Sequence, residues 1–164
     1  MCARFAVEFA GLVRKAHGKL TLTNAGAKLI AANNRYEIFT RFFSAFVGKY
    51  QWAYNDRFPQ NVVGQLGWGL TVYALHLFGD VERPLTFYLQ KYISGFRFMA
   101  RGAEAVSPAP EQYFSNSYIV RTFERFLLWF GFVAVNSGAA YFSKEDDTCV
   151  KTALLGKVFA FKEV

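Results

Sequence analysis

At 164 residues, with 53% hydrophobic and only 19% charged side chains, the chain has ample material for a core, which excludes an intrinsically disordered protein. Two cysteines, Cys2 and Cys149, are too few for a disulfide framework or a four-cysteine zinc site and fit a reducing, cytoplasmic setting. The net charge of +7 is uneven: through Arg57, nine basic residues face three acidic ones, so this stretch carries +6. Such a half attracts duplex DNA or another polyanion, and serves equally as a solvated face that keeps an aromatic-rich protein soluble.

Phe5, Phe9 and Leu12 stand at helical spacing, which predicts a helix over 2–10 closed by Gly11. Arg4 and Glu8 interrupt its apolar run, so it does not read as a signal peptide. Residues 12–15 and 19–22 read as short strands around Ala16-His17-Gly18, and Thr23 as the N-cap of a helix over 24–32 that Asn33-Asn34 breaks. From Tyr36, the set Phe39, Phe42, Phe43, Phe46, Val47 and Tyr50 keeps i, i+3, i+4, i+7 spacing and predicts a further helix.

Residues 54–59 read as a turn. The stretch 58–79 carries no charge and is long enough to span a bilayer, yet Pro59, Gln60, Asn61, Gln65 and His76 lie within it. Those groups are costly in hydrocarbon, so a helix over 60–78 buried in protein is expected, and no membrane span. Pro84 opens the next helix, to 99, with Leu85, Tyr88, Leu89, Tyr92, Ile93 and Phe96 inward. After a loop over 101–110, a long helix is expected over 112–130, burying Tyr113, Ile119, Val120, Phe123, Phe126, Leu127 and Phe130. Past Gly131, a second hairpin pairs 132–135 with 139–142 or 148–151, and Thr152 caps a short last helix.

The two ends therefore share one pattern: an apolar helix running into glycine, a hairpin, then a threonine that starts another helix. Elsewhere the sequence offers little chemistry. There is no G-x-S-x-G elbow, no phosphate-cradling loop ending in Gly-Lys-Ser/Thr and no H-E-x-x-H. His17 reads as exposed in its turn and His76 as a core or half-buried residue, neither beside a nucleophile. The run Lys144-Glu145-Asp146-Asp147 reads as a solvated loop. The expectation is a protein that is not an enzyme, with no metal and no cofactor.

What remains is recognition. From Ser115 the sequence runs Ser-Asn-Ser-Tyr-Ile-Val-Arg-Thr-Phe-Glu-Arg-Phe-Leu, which resembles the recognition helix of helix-turn-helix proteins. Ser117, Arg121 and Arg125 stand four apart and share one helix face. That resemblance implies Asn116 and Ser117 near base edges, the arginines on bases or phosphates, and Lys144 and Lys151 on the backbone from the following hairpin.

At the other end, Leu12-Val13-Arg14-Lys15, Gly18-Lys19-Leu20-Thr21-Leu22-Thr23, Gly26 and Leu29 form a segment similar to the closing wing of MarR- and PadR-type winged-helix regulators. The resemblance covers about thirty residues here, and more loosely the last fifty. It implies that Arg14, Lys15 and Lys19 touch phosphate. It departs from the family in having one short helix before the wing, as if other chain normally flanks the module.

The fold class expected is mainly α with two small β-hairpins: winged-helix-like motifs at both ends, joined by a central helical hairpin. A single compact domain over 1–164 is expected, with the first motif at 1–34, a helical core at 35–100 and the second motif at 111–164. The partner is duplex DNA or, given the excess of aromatics, a second copy or another protein met through an aromatic surface.

Overall fold

Helix α1 (Ala3–Phe9) stops at Gly11, whose φ of +70° turns the chain into strand β1 (Val13–Ala16). A tight turn with positive φ at both His17 and Gly18 returns it as β2 (Lys19–Leu22), with Val13 opposite Leu22 and Ala16 opposite Lys19. Thr23 caps α2 (Asn24–Ala31), and Asn34 caps α3 (Arg35–Gly48) by accepting from the Glu37 N–H at 3.1 Å. These elements match the sequence reading to within two residues. The computed structural model describes residues 3–54, 56–58, 62–99, 110–136 and 147–162.

The chain divides into two compact units, Met1–Gln51 and Trp52–Val164. The division after Gln51 falls at neither of the internal boundaries expected from sequence. The first unit has a thin core. Its buried apolar side chains among the described residues are Ala6, Leu12, Ala45, Phe46 and Tyr50, while Phe9, Leu20, Leu22, Ile30 and Tyr36 are exposed. It also holds most of the net charge, with eight basic residues against two acidic ones.

The second unit is larger and aromatic at its centre. Among the described residues its elements include α4 (Trp68–Phe78), β3 (Arg83–Pro84), α5 (Leu85–Gly95), α6 (Pro110–Tyr118), a π-helical continuation of α6 (Ile119–Leu127), β4 (Val133–Asn136), β5 (Thr148–Lys151) and α7 (Ala153–Val158). Three departures from the sequence reading stand out. Helix α4 starts at Trp68, eight residues late, because Gly64 and Gly67 take φ of +82° and +78° and cannot continue a helix. Pro84 precedes its helix instead of opening it and, with Arg83, forms a third strand along β5. The long helix is α-helical only to Tyr118, and its π-type widening shifts the inward face. Phe114 is buried where Tyr113 was expected, while Val120 and Phe130 are half-buried.

The sheet order is β3-β5-β4, all antiparallel. Of the two return strands offered by the sequence, 148–151 pairs with β4, and 139–142 lies outside the described residues. Trp52, Tyr88, Tyr92, Tyr118, Phe123, Phe126 and Phe132 are fully buried together with Leu75, Leu85 and Ile119. Tyr92 ties the α4 approach to α5, its hydroxyl accepting from the Gly64 N–H and donating to the Leu66 carbonyl. Tyr118 shares a 2.9 Å hydrogen bond with Thr71.

The repeated pattern in the sequence is a repeated hydrogen-bond frame. In the first unit Gly11 N–H bonds the Glu8 carbonyl (3.0 Å), Leu12 N–H the Val7 carbonyl (3.1 Å) and Thr23 N–H the Leu12 carbonyl (3.1 Å). In the second, Gly131 bonds Leu128 (3.0 Å), Phe132 bonds Leu127 (2.8 Å) and Thr152 bonds Phe132 (2.9 Å) in the same way. Both glycines have positive φ, +70° and +73°. Each threonine hydroxyl reaches back across the hairpin, Thr23 to the Gly11 carbonyl at 2.7 Å and Thr152 to the Gly131 carbonyl at 2.6 Å, while accepting from its own helix. One hydroxyl thus locks a helix end, a hairpin and a helix start. Thr23→Val and Thr152→Val are each expected to lower stability by about 1–2 kcal/mol, read as a shifted denaturation midpoint, with Thr→Ser keeping most of it. A valine variant with an unshifted midpoint would show the hydroxyl to be idle.

Candidate interaction surfaces

The helix that resembles a recognition helix keeps its spacing but faces the other way. Arg121 is fully buried, and its guanidinium forms a two-pronged pair with Asp56, Nε at 2.6 Å and Nη2 at 3.2 Å. Further bonds run to the carbonyls of Val63 and Phe58, and the Phe58 ring lies beneath the guanidinium. Arg125, one turn on, donates to the carbonyls of Trp52 (2.7 Å) and Tyr54 (2.8 Å). Ser117 is buried and donates to the Phe114 carbonyl, and Asn116 is half-buried with its side-chain oxygen enclosed.

This corrects the sequence reading at the helix: Ser117 and Arg121 lie on a shared inward face and are out of reach of base edges or phosphate. The cause is Trp52, Tyr54, Asp56 and Phe58, which present an acid and several carbonyls to the helix. Asp56 was the residue missed. In sequence it is one acid in a turn, and nothing local marks it as the partner of an arginine 65 positions away.

The second hairpin offers less than expected as well. Lys151 is half-buried, ion-paired with Asp80 at 2.7 Å and donating to the His76 carbonyl at 2.8 Å. Lys144 lies outside the described residues. His76, expected in or near the core, is exposed and stacks on Phe161 with ring centroids 4.2 Å apart.

In the first unit, Arg14, Lys15 and Lys19 are all exposed. The register separates them, however. Arg14 opposes Thr21 and Ala16 opposes Lys19, so Arg14 and Lys19 share one face of the hairpin. Lys15 opposes Leu20 and lies on the other face, with Val13 and Leu22. The structure thus brings Arg14 and Lys19 together and sets Lys15 apart.

One buried thiol and three buried hydroxyls of the second unit are held protonated. Burial pushes the Cys149 thiol up to about 12, raises the hydroxyls of Tyr88 and Tyr118 well above the usual range, and raises that of Tyr92. A thiol held this way is a core side chain at neutral pH and no nucleophile. At the sheet edge the exposed Glu82 carboxylate accepts from the Thr148 hydroxyl and the Asn136 amide, and those bonds lower its pKa. Among the described residues no group of three or more His, Cys, Asp or Glu side chains is gathered as metal ligands, and no helix is long and apolar enough to cross a membrane. Compared with known protein families, curated proteins and solved structures, the chain has no match.

Proposed function

We propose that this chain is a non-catalytic binding module of winged-helix type that works through protein contacts. Support for the winged-helix part is topological. Among the elements described from Trp68 to Lys151, the longer helices and the strands follow the order helix, strand, helix, helix, strand, strand, with the first strand laid along the last, as in winged-helix folds. The run α1–β1–β2–α2 repeats the closing half of that arrangement.

One observation favours protein contact over DNA. Of the basic residues of 110–127, Arg121 is buried against Asp56 and the Val63 carbonyl and Arg125 is half-buried on the Trp52 and Tyr54 carbonyls, so the helix that would enter a major groove has little basic face to offer it. Meanwhile Tyr36, Tyr54, Tyr73, Phe98 and Trp129 are exposed, and such residues are enriched where proteins meet.

A second reading rests on Arg14 and Lys19, which share a face of the first hairpin in a unit of net +6. It amounts to weak, sequence-blind contact with phosphate. Fluorescence anisotropy with labelled duplexes across a salt series tests both. Any binding is expected to be weaker than ~10⁻⁶ M at physiological salt, to fall steeply as salt rises, and to drop further in Arg14→Ala with Lys19→Ala. A duplex bound about tenfold more tightly than scrambled sequence, with the preference lost in a folded Arg125→Ala, would overturn the protein-contact reading.

A further inference from the structure

The repeat allows the two hairpins to be compared strand for strand. By the shared hydrogen-bond frame Thr23 corresponds to Thr152, so Leu22 corresponds to Lys151 and Leu20 to Cys149. In both hairpins the strand preceding the threonine alternates. One set of residues exchanges backbone bonds with the partner strand, and the other aims its N–H and C=O at the outer edge. Leu20 and Leu22 belong to the outward set, as do Cys149 and Lys151.

In the second unit that outer edge is filled. Arg83 pairs with Cys149, the Lys151 N–H donates to the Gly79 carbonyl at 2.9 Å, and the Leu85 N–H donates to the Asp147 carbonyl at 2.9 Å. Cys149 is fully buried. In the first unit, among the described residues, no strand lies along β2 and no backbone partner meets the outward groups of Leu20 and Leu22. Leu20 and Leu22 are 49% and 47% exposed. An open edge with two adjacent outward leucines is a template for another strand.

We infer that this edge pairs with the same edge of a second copy, β2 against β2 in antiparallel register about Thr21. The proposal deepens the protein-contact reading and rests on it. The sequence is self-complementary in that register. Leu20 meets Leu22 of the second copy and Leu22 meets Leu20, each pair using its outward N–H and C=O. Thr21 meets Thr21 on the opposite face, and Lys19 meets Thr23, so no like charges stand directly opposite. The leucines of the two copies form one apolar strip, continued by Val13 and flanked by Lys15. The thin core of the first unit, with Leu20 and Leu22 left outside it, fits a surface that is completed on pairing.

The electrostatics give the pairing a distinctive signature. Two units of net +6 repel, so screening by salt strengthens their association, whereas salt weakens binding to a polyanion. A strand-on-strand contact is also far smaller than a standard interface, so the dimer is weak, with a dissociation constant on the order of 10⁻⁵ M.

Sedimentation velocity of the full 164-residue chain over about 1–200 µM, at low and at about 0.5 M NaCl, tests this. The dimer fraction should rise with concentration and with salt. Leu20→Pro removes an outward N–H and leaves the bonds to β1 intact, and Leu22→Lys places a charge in the strip; each should weaken the dimer by about tenfold or more. Should Leu20→Pro disturb the hairpin by circular dichroism, Leu22→Lys alone decides. A chain that stays monomeric throughout overturns the pairing, as does a dimer that folded Leu22→Lys leaves unchanged. Neither result touches the protein-contact reading, which stands or falls on the duplex measurements.

Discussion

Asp56→Ala is expected to lower the stability of the second unit by about 3–5 kcal/mol. Both partners of the Arg121–Asp56 pair are closed to solvent, with side-chain exposures of 0% and 1%. Removing the carboxylate strands a guanidinium that cannot lose its proton and cannot reach water. The remaining bonds, to the Val63 and Phe58 carbonyls, do not neutralise it. Arg121→Met is expected to be severe for the converse reason. Replacing both partners at once, Arg121→Met with Asp56→Leu, should recover most of the loss, because a buried pair exchanged for apolar side chains of similar volume is often neutral.

The readout is specific to this unit, since all three tryptophans, Trp52, Trp68 and Trp129, lie within it. Urea unfolding followed by tryptophan fluorescence therefore reports the second unit alone. Single variants within about 1 kcal/mol of the parent would mean that water reaches the pair, and the inward assignment of the helix would fail with it.

Gly26→Ala should unfold or nearly unfold the first unit while leaving the second intact. A Cβ at Gly26 would sit 2.1 Å from the Leu12 carbonyl oxygen and 3.0 Å from its carbon. The obstruction is backbone, and that backbone is held by the Thr23 N–H and by the Leu12 bond to Val7. Helix α2 must therefore move off the hairpin and give up the Gly26 N–H bond to Thr23. Strain of this kind costs about 1–3 kcal/mol, a large share of what a unit of this size and thin core holds.

Circular dichroism should then show an early loss of helix and strand signal, with the tryptophan midpoint unchanged. Gly156→Ala is the control. It lies within α7 with nothing within 4 Å of its would-be Cβ, so it should be neutral or stabilising by up to about 1 kcal/mol. A Gly26→Ala protein as stable as its parent would refute the close approach of α2 to the first hairpin.

How legible the molecule was depended on how far apart the interacting residues lie. Gly11, the His17-Gly18 turn and Thr23 act over a dozen residues, and each residue type carries its own instruction: left-handed turn, tight hairpin, helix cap. The first unit could be read almost whole for that reason, and the same grammar at Gly131 and Thr152 located the second hairpin. Where two return strands were offered, sequence could not choose, because the choice rests on pairing with Arg83 and Pro84 more than sixty residues earlier. The candidate site fared worse. Arg14 and Lys19 fall on one face because strand alternation is local. Arg121 and Arg125 were placed correctly on a shared face, and Arg121 wrongly toward solvent.

That last point marks the division between sequence and tertiary structure here. By itself the sequence determined the helix-glycine-hairpin-threonine frame at both ends, since its hydrogen bonds join near neighbours whose backbone preferences are intrinsic. It also determined that the first unit is the basic one. Only the tertiary structure decided which side of the α6 helix is inside, because an arginine can be buried once an acid and enough carbonyls meet it, and those come from a distant turn. The same holds for the edge of β5, filled by a strand from between two helices, and for the equivalent edge of β2, where no such strand arrives among the described residues. A strand's alternation announces that one face wants covering; what covers it is settled by the rest of the fold.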